Sequence, residues 1–411
     1  MVKASWALQP AALLAHPNLY RAAVAAPTSF CPYLCPGCDH RHLDESASLA
    51  QKENFTRQCL VAWKDKIKPI TSPRLRTAYR DRVCLNVQEQ HKLWRWGMLA
   101  KQYFFPLADC PLQTPAINHL LDQTMDILNQ ARLSQEEFPL RFILINGRQV
   151  VWVIKSKPQE AIAAKMLPLL LAQQAQLAVD SDSLWWHWNE CCGRRVISKK
   201  TWQKIWGPSF GQNAAGLRFG PRCFRQVHPT IYIKALQKAA AYLGTKGASP
   251  NMILTDTSTS SVPCLVDLFC GMGTSLSFWS QVGLAEKDIL GVELNGEALA
   301  FAAENFPQAT FLRGTPEQRI PQIISWVGQR EVYLFVNPPR LGLTVELRDF
   351  ICLRLRPSKM VYLSCGPKTL SRDLIDLAHA DYIIDEILPF DFFPQTKHVE
   401  NLVLLRRKAA K

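Results

Sequence analysis

The sequence predicts an α/β chain. Its C-terminal half is a Rossmann-like, mostly parallel seven-stranded sheet with an antiparallel end, joined to a basic N-terminal α+β half. Three observations predict this. From about Pro208, short apolar runs alternate with helix-like stretches, the pattern of βαβ units. The last two apolar runs, Ile383–Leu388 and Leu402–Leu405, have no helix between them and so form an antiparallel pair. The first half lacks that rhythm and offers instead a hairpin, Leu140 to Lys155, around Asn146-Gly147.

Cys264–Phe269 is a strand that ends in a Gly-rich turn, and Ile289–Leu294 is the next strand, followed by a helix over Gly296–Asn305. Ala309–Leu312, a helix near Pro321–Trp326, Val332–Val336, a helix over Val345–Leu355 and Met360–Ser364 continue the alternation. In the first half, Leu184–Trp188 is expected to pair with Arg194–Ile197 around Cys192-Gly193. The chain divides accordingly into an Ala/Pro-rich extension at 1–30, an irregular basic part at 31–207 and the α/β part at 208–411.

Composition bounds the function. With 411 residues, 48% of them hydrophobic and 20% charged, the chain is neither disordered, collagenous nor a coiled coil. Lys plus Arg is 48 against 34 for Asp plus Glu, a net charge of +14, which suits a polyanionic partner such as nucleic acid. No run reaches the roughly 18 apolar residues of a membrane span. The nearest, from Met166 to Val179, is broken by Pro168, Gln173, Gln174 and Gln176. The thirteen cysteines are odd in number, and several fall in apolar runs, as reduced thiols do. A reducing cytoplasm is the expected compartment.

The chemistry-bearing motifs lie at the C-terminal ends of predicted strands. Asp267-Leu268-Phe269-Cys270-Gly271-Met272-Gly273 opens a helix, and its glycines let backbone N–H groups approach a ligand. Glu293 ends the following strand, where a carboxylate can accept both hydroxyls of a ribose. The loop lacks the third Gly of the dinucleotide fingerprint, which argues for S-adenosylmethionine over a pyrophosphate ligand. Asn337-Pro338-Pro339-Arg340 closes the fourth strand with a rigid backbone. Cys365 ends the fifth, and Glu400 precedes the last. Taken singly, each of these also reads as an ordinary turn, a core thiol or an exposed charge.

Together, Cys270-Gly271 with Glu293, Asn337-Pro338-Pro339-Arg340, Ser364-Cys365-Gly366-Pro367-Lys368-Thr369-Leu370 and the segment from Phe390 to His398-Val399-Glu400 resemble the RNA uracil-C5 methyltransferases in order and spacing. Phe224-Arg225-Gln226 extends the resemblance, which covers about the last half of the chain. It implies a class I S-adenosylmethionine-dependent methyltransferase fold and C5 methylation of a uridine in RNA. Cys365 would be the nucleophile and Glu400 the base, while Gln226, Phe269, Glu293 and Asn337 would contact S-adenosylmethionine. The chemistry agrees: uracil C5 is a poor nucleophile until a thiolate adds at C6, and the C5 proton must afterwards be removed. One departure is plain. The family often carries an Asp after the third strand, where this chain has Arg313-Gly314-Thr315.

The first half adds a metal motif. Cys31, Cys35 and Cys38 are clustered and Cys110 stands far along the chain, a set suited to a [4Fe–4S] cluster. Zinc held by Cys31, Cys35, Cys38 and His40 or His42 is the rival. Relatives that act on ribosomal RNA carry such a cluster, so the resemblance implies 23S ribosomal RNA as the partner, with tRNA the alternative. The short stretch before Cys31 matches the type without an N-terminal barrel. An amino-group methyltransferase using Asn-Pro-Pro without a covalent step is a further alternative. Basic and aromatic residues interleave at Arg74, Arg76, Tyr79, Arg80 and Arg82, and again from Lys92 to Trp96 and over Trp185 to Trp188. They offer a candidate RNA surface, with core packing as the other reading. No protein partner is readable.

Overall fold

A computed structural model describes residues 35–100, 102–190, 196–198, 201–244 and 262–409. The expected extension at 1–30 and Cys31 lie outside the described residues. The chain enters helix α1 (Glu45–Cys59), which Asp44 caps by accepting from the Ala47 N–H. It then builds a seven-stranded sheet from β1 (Arg82–Gln90), β2 (Leu93–Ala100), β3 (Tyr103–Pro106), β4 (Leu140–Asn146), β5 (Gln149–Ile154), β6 (Ser183–Trp188) and β7 (Trp202–Trp206). The spatial order is β3-β2-β1-β4-β5-β6-β7. Helix α2 (Pro115–Ala131) buries Ile117, Leu120, Leu121, Thr124 and Leu128 on one stripe, at the spacing a helix needs to cover a sheet. Helices α3 (Glu160–Ala172) and α4 (Gln174–Leu177) connect β5 to β6, which run parallel.

This half is more regular than the sequence suggests. The hairpin at Asn146 is present, with Gly147 at φ 62° and Asn146 opposite Gln149. Of the expected pairing of Leu184–Trp188 with Arg194–Ile197, residues 191–195 lie outside the described residues; β6 pairs with β7, Leu184 opposite Trp206, and 196–198 form no strand. The candidate aromatic surface is corrected. Trp94 and Trp96 are buried in β2, their indole N–H groups donating to Leu133 O at 2.9 Å and Asp122 Oδ1 at 3.2 Å. Tyr79, Trp186 and Trp188 are likewise core residues. Alternation along β2 sends Trp94 and Trp96 inward and Leu93 and Arg95 outward.

A short ribbon, β8 (Gly211–Gln212) with β9 (Arg218–Phe219), and helix α5 (Pro229–Leu243) lead to the second sheet. It comprises β10 (Cys264–Leu268), β11 (Ile289–Glu293), β12 (Thr310–Arg313), β13 (Val332–Val336), β14 (Lys359–Ser364), β15 (Tyr382–Phe390) and β16 (Glu400–Arg407). Helices α6 (Leu276–Trp279), α7 (Gly296–Asn305), α8 (Pro316–Val327), α9 (Val345–Asp349) and α10 (Pro367–His379) lie between them. The order is β12-β11-β10-β13-β14-β16-β15, parallel except that β16 runs antiparallel to both neighbours. This is the class I methyltransferase arrangement that the sequence implies. The strand order reverses between β10 and β13, so their C-terminal ends border the crevice where α/β folds bind ligands.

The two halves meet through α1 and the short helical turn Val61–Lys66 after it. Leu60 and Ile67, which flank that turn, belong to the core under the second sheet, and residues 67 and 71 bridge to Ile387 and Phe390 of β15. Among the described residues, no helix is long and apolar enough to cross a membrane.

Candidate active site

The β10 strand is buried throughout, and the turn after it takes a shape few residues adopt. Phe269 has φ 65°, Gly271 58° and Gly273 85°. Backbone N–H groups of Phe269 and Cys270 both donate to Val292 O, at 2.9 and 3.1 Å, which pins the turn to β11. A Cβ added at Gly271 would meet nothing within 4 Å, whereas one at Gly273 would lie 2.9 Å from the Phe306 ring. Gly271 therefore faces open space, and Gly273 permits close helix packing. Glu293 ends β11 half-exposed, its carboxylate accepting from Gly271 N at 3.0 Å and Asn295 N at 2.7 Å. Beneath the turn, Asp267 accepts from Ser275 Oγ at 2.6 Å and Trp279 Nε1 at 2.9 Å. Its burial lifts the carboxyl to about 7.

Asn337 follows β13 and lies close enough to the Tyr232 hydroxyl of α5 to interact with it. Gln226 lies in the segment leading into that helix, between Arg225, which is bound to Asp81 at 2.5 Å, and His228, stacked on Tyr79. Tyr232 also feels the charges of Asp267 and Glu400. Sequence reading missed Tyr232, because its helix carries no motif at that position.

Cys365 is the residue after β14 and Glu400 the first of β16. Ser364 pairs with Asn401, and in an antiparallel ladder the next step sets Cys365 opposite Glu400. Glu400 is buried, and that burial raises its carboxyl to about 8, with the Arg340 guanidinium acting in the opposite sense. Burial, and then the Glu400 charge, push the Cys365 thiol up to about 11, again against Arg340. Since the carboxyl ionises first, its charge bears on the thiol and not the reverse. Asn-Pro-Pro-Arg thus brings a cation to the thiol–carboxyl pair, a role for Arg340 that the motif alone does not reveal. The set expected from sequence converges on one edge of the sheet: the 269–273 turn, Glu293, Asn337, Cys365 and Glu400.

The metal motif is less complete. Cys35, Cys38 and Cys110 line one cavity of about 400 Å³ with Arg41, Arg80 and Gln395, and Cys84 reaches it as well. Cys35 and Cys110 are close enough to interact electrostatically. Among the described residues, however, no group of three or more His, Cys, Asp or Glu side chains is arranged to hold a metal ion. His40, named in the zinc alternative, is buried with Nδ1 at 3.0 Å from Ser48 Oγ.

Comparison with known proteins places this geometry. The tRNA (uracil-5-)-methyltransferase family model matches residues 298–408. An uncharacterized RNA methyltransferase of Protochlamydia amoebophila is 30% identical over 433 residues, spanning 99% of this chain and 88% of that protein. The 23S rRNA (uracil(1939)-C(5))-methyltransferase RlmD of Vibrio parahaemolyticus is 24% identical, over 92% of this chain and 82% of its own length. Among solved structures, the tRNA (uracil-54, C5)-methyltransferase of Pyrococcus abyssi, in complex with S-adenosyl-L-homocysteine, shares the fold with a TM-score of 0.66 at 20% identity, covering 91% of this chain and 86% of that one. The chain belongs to the RNA uracil-C5 methyltransferases, enzymes that depend on S-adenosylmethionine.

Proposed function

We propose that this enzyme methylates C5 of one uridine in 23S ribosomal RNA through a covalent Cys365–uracil adduct. The observation that carries the reading is the β14–β16 register, which brings a thiol and a carboxyl together beside Arg340. Cys365, as thiolate, adds to C6 of the uracil, and electron density moves to C5. S-adenosylmethionine, when bound, supplies the methyl group that C5 takes. Glu400, in its ionised form, then removes the C5 proton, and expulsion of Cys365 restores the ring double bond and the thiolate. Glu293 would accept from the ribose of the methyl donor, and Phe269, Asn337 and Gln226 would line its site. The target base must leave its stack to reach Cys365.

We also propose that residues 31–207 hold the RNA and the metal centre, while residues 208–411 carry the chemistry. Cys31, Cys35, Cys38 and Cys110 would hold a [4Fe–4S] cluster. Three of these thiols share one cavity, and Arg41 and Arg80 on its wall complement the negative charge of a thiolate-ligated cluster. The similarity to the 23S ribosomal RNA enzyme of Vibrio parahaemolyticus favours ribosomal RNA, while the archaeal fold match keeps tRNA as the second reading.

Mass spectrometry of 23S ribosomal RNA and tRNA from a strain lacking the gene tests the substrate: loss of one 5-methyluridine from 23S RNA is expected, and loss from tRNA instead overturns that choice. Cys365→Ala should abolish methylation while S-adenosylmethionine binding persists. Glu400→Gln should accumulate a protein–RNA adduct stable on a denaturing gel. A fully active Cys365→Ala enzyme would mean chemistry without a covalent step, as an amino-group methyltransferase performs it.

A further inference from the structure

We propose that Lys52 of α1 is a positioning residue for Glu400, holding through Asp391 the 391–399 segment that delivers this carboxyl to Cys365. The inference rests on the base role proposed for Glu400.

Helix α1 buries a stripe that is polar: Ser48, Lys52 and Thr56, one turn apart on a single face. Helix α10, which packs on the same part of the fold, buries Leu370, Leu374 and Leu377 alongside Asp373, as a helix does when it only covers a sheet. A fully buried lysine is rare and persists only when it is paired. Lys52 is 1% exposed and Asp391 0%. The Lys52 ammonium donates to Asp391 Oδ1 at 2.5 Å and to Phe393 O at 3.0 Å, and Arg76 Nη1 holds the other Asp391 oxygen at 2.9 Å. One turn further on, Thr56 Oγ1 donates to Asn401 Oδ1 at 3.3 Å. The α1 stripe therefore grips the chain on both sides of Glu400: at Asp391 and Phe393 before it, and at Asn401 immediately after.

The gripped segment has no helix or strand of its own, only a turn in which Thr396 N and Oγ1 donate to Phe393 O at 3.1 and 2.8 Å. β15 ends at Phe390 and β16 begins at Glu400, these two residues being paired, so 391–399 is the connection between them. Its successive carbonyls are taken from the N-terminal part: Phe393 O by Lys52, Pro394 O by the Tyr79 hydroxyl at 3.2 Å, and Gln395 O by His40 N at 3.0 Å. Gln395 sits at φ 67°, a conformation that a non-glycine residue holds only when its surroundings impose it. Besides the pairings of β16 with β14 and β15, residues more than three hundred positions away in the sequence thus help to hold Glu400 in place relative to Cys365. Displacing a reacting group by about 1 Å can cost on the order of 100-fold in rate.

The test uses the full chain with whichever transcript, 23S ribosomal RNA or tRNA, the parent enzyme methylates. Lys52→Met should lower kcat roughly 10- to 100-fold. KM for RNA and affinity for S-adenosylmethionine should stay within about 2-fold, since both bind through other residues. The C5-methylated adduct should accumulate on a denaturing gel, because thiol addition continues while proton removal slows. If Lys52→Met does not fold, Thr56→Val decides by the same readouts; it exchanges a hydroxyl for a methyl and strands no charge. Loss of adduct formation and cofactor binding in parallel with kcat would reduce the stripe to a prop for the fold, and unchanged kcat would also overturn the proposal. Glu400→Gln is the control that separates the two ideas. No adduct there sinks the base role and the positioning role with it, whereas adduct there and none in the α1 variants sinks positioning alone.

Discussion

Cys365 stands opposite Glu400, one step beyond the Ser364–Asn401 pair that joins β14 to β16. The buried carboxyl ionises near 8 and the thiol near 11, so the Glu400 charge is in place whenever the thiol titrates. Glu400→Gln removes that charge and should move the thiol titration down, while Arg340→Met removes the opposing cation and should move it up. Iodoacetamide labelling of Cys365, followed against pH by peptide mass spectrometry, measures both. A midpoint that does not move in Glu400→Gln would show that the two groups are not coupled.

The same carboxyl makes stability pH-dependent. Folded, Glu400 keeps its proton up to about 8, whereas the unfolded chain releases it near the ordinary value of 4.5. Between those values the folded state binds more protons, so the native chain loses stability as pH rises through that window. Glu400→Gln carries no such titration. Its stability relative to the parent should grow from pH 4.5 to 8 and then level off, by at most roughly 5 kcal/mol. Urea unfolding of both proteins at pH 5, 6, 7 and 8 reads the difference directly, and parallel curves would contradict the buried state of Glu400.

The two glycines of the cofactor turn should fail differently. Both have positive φ, so alanine at either costs about 1 kcal/mol in backbone strain. Gly273→Ala adds a clash with Phe306 and should be destabilised by roughly 2 to 4 kcal/mol in total. Gly271→Ala meets open space in the free protein, which is where a ligand must approach the backbone. Its loss should therefore appear mainly as weaker S-adenosylmethionine binding by calorimetry, with stability lowered only by the strain of about 1 kcal/mol. The reverse assignment would place the cofactor elsewhere.

The α/β half was legible because its signals are local. Val332–Val336 and Gly296–Asn305 have the bounds read from sequence, and strand ends carry their chemistry within a few residues of a Gly or Pro. The first sheet was opaque for an equally physical reason. β1 and β2 are joined at His91-Lys92, both with positive φ (54° and 64°), without the Asn or Gly that normally announces such a turn. The Lys52–Asp391 pair spans most of the chain and leaves no pattern in either segment. Tertiary context, which no window of sequence contains, chose a lysine for the interior of α1.

Trp94 and Trp96 test how RNA and core are divided in that sheet. Trp96→Ala should cost about 3 to 5 kcal/mol, the range for emptying an aromatic from a packed core. RNA affinity of the folded fraction should not change. Arg74 is exposed, and Arg74→Gln should leave urea unfolding unchanged while weakening RNA binding and flattening its salt dependence. A Trp96 variant that folds normally but loses RNA would restore the stacking role that its burial denies.

The cysteine cavity makes a separable prediction. If Cys35, Cys38 and Cys110 are ligands, anaerobically purified protein should contain iron and acid-labile sulfide, and Cys110→Ala should lose both. Gln395 lines the same cavity while its carbonyl accepts from His40 N, so the wall of this cavity is also the segment leading to Glu400. Removing the metal should therefore lower kcat as well as bleach the protein, and leave S-adenosylmethionine affinity intact, because the 269–273 turn is built on the other sheet. Zinc without sulfide would assign the site to a different metal. Protein free of metal, with full activity, would make these thiols ordinary wall residues.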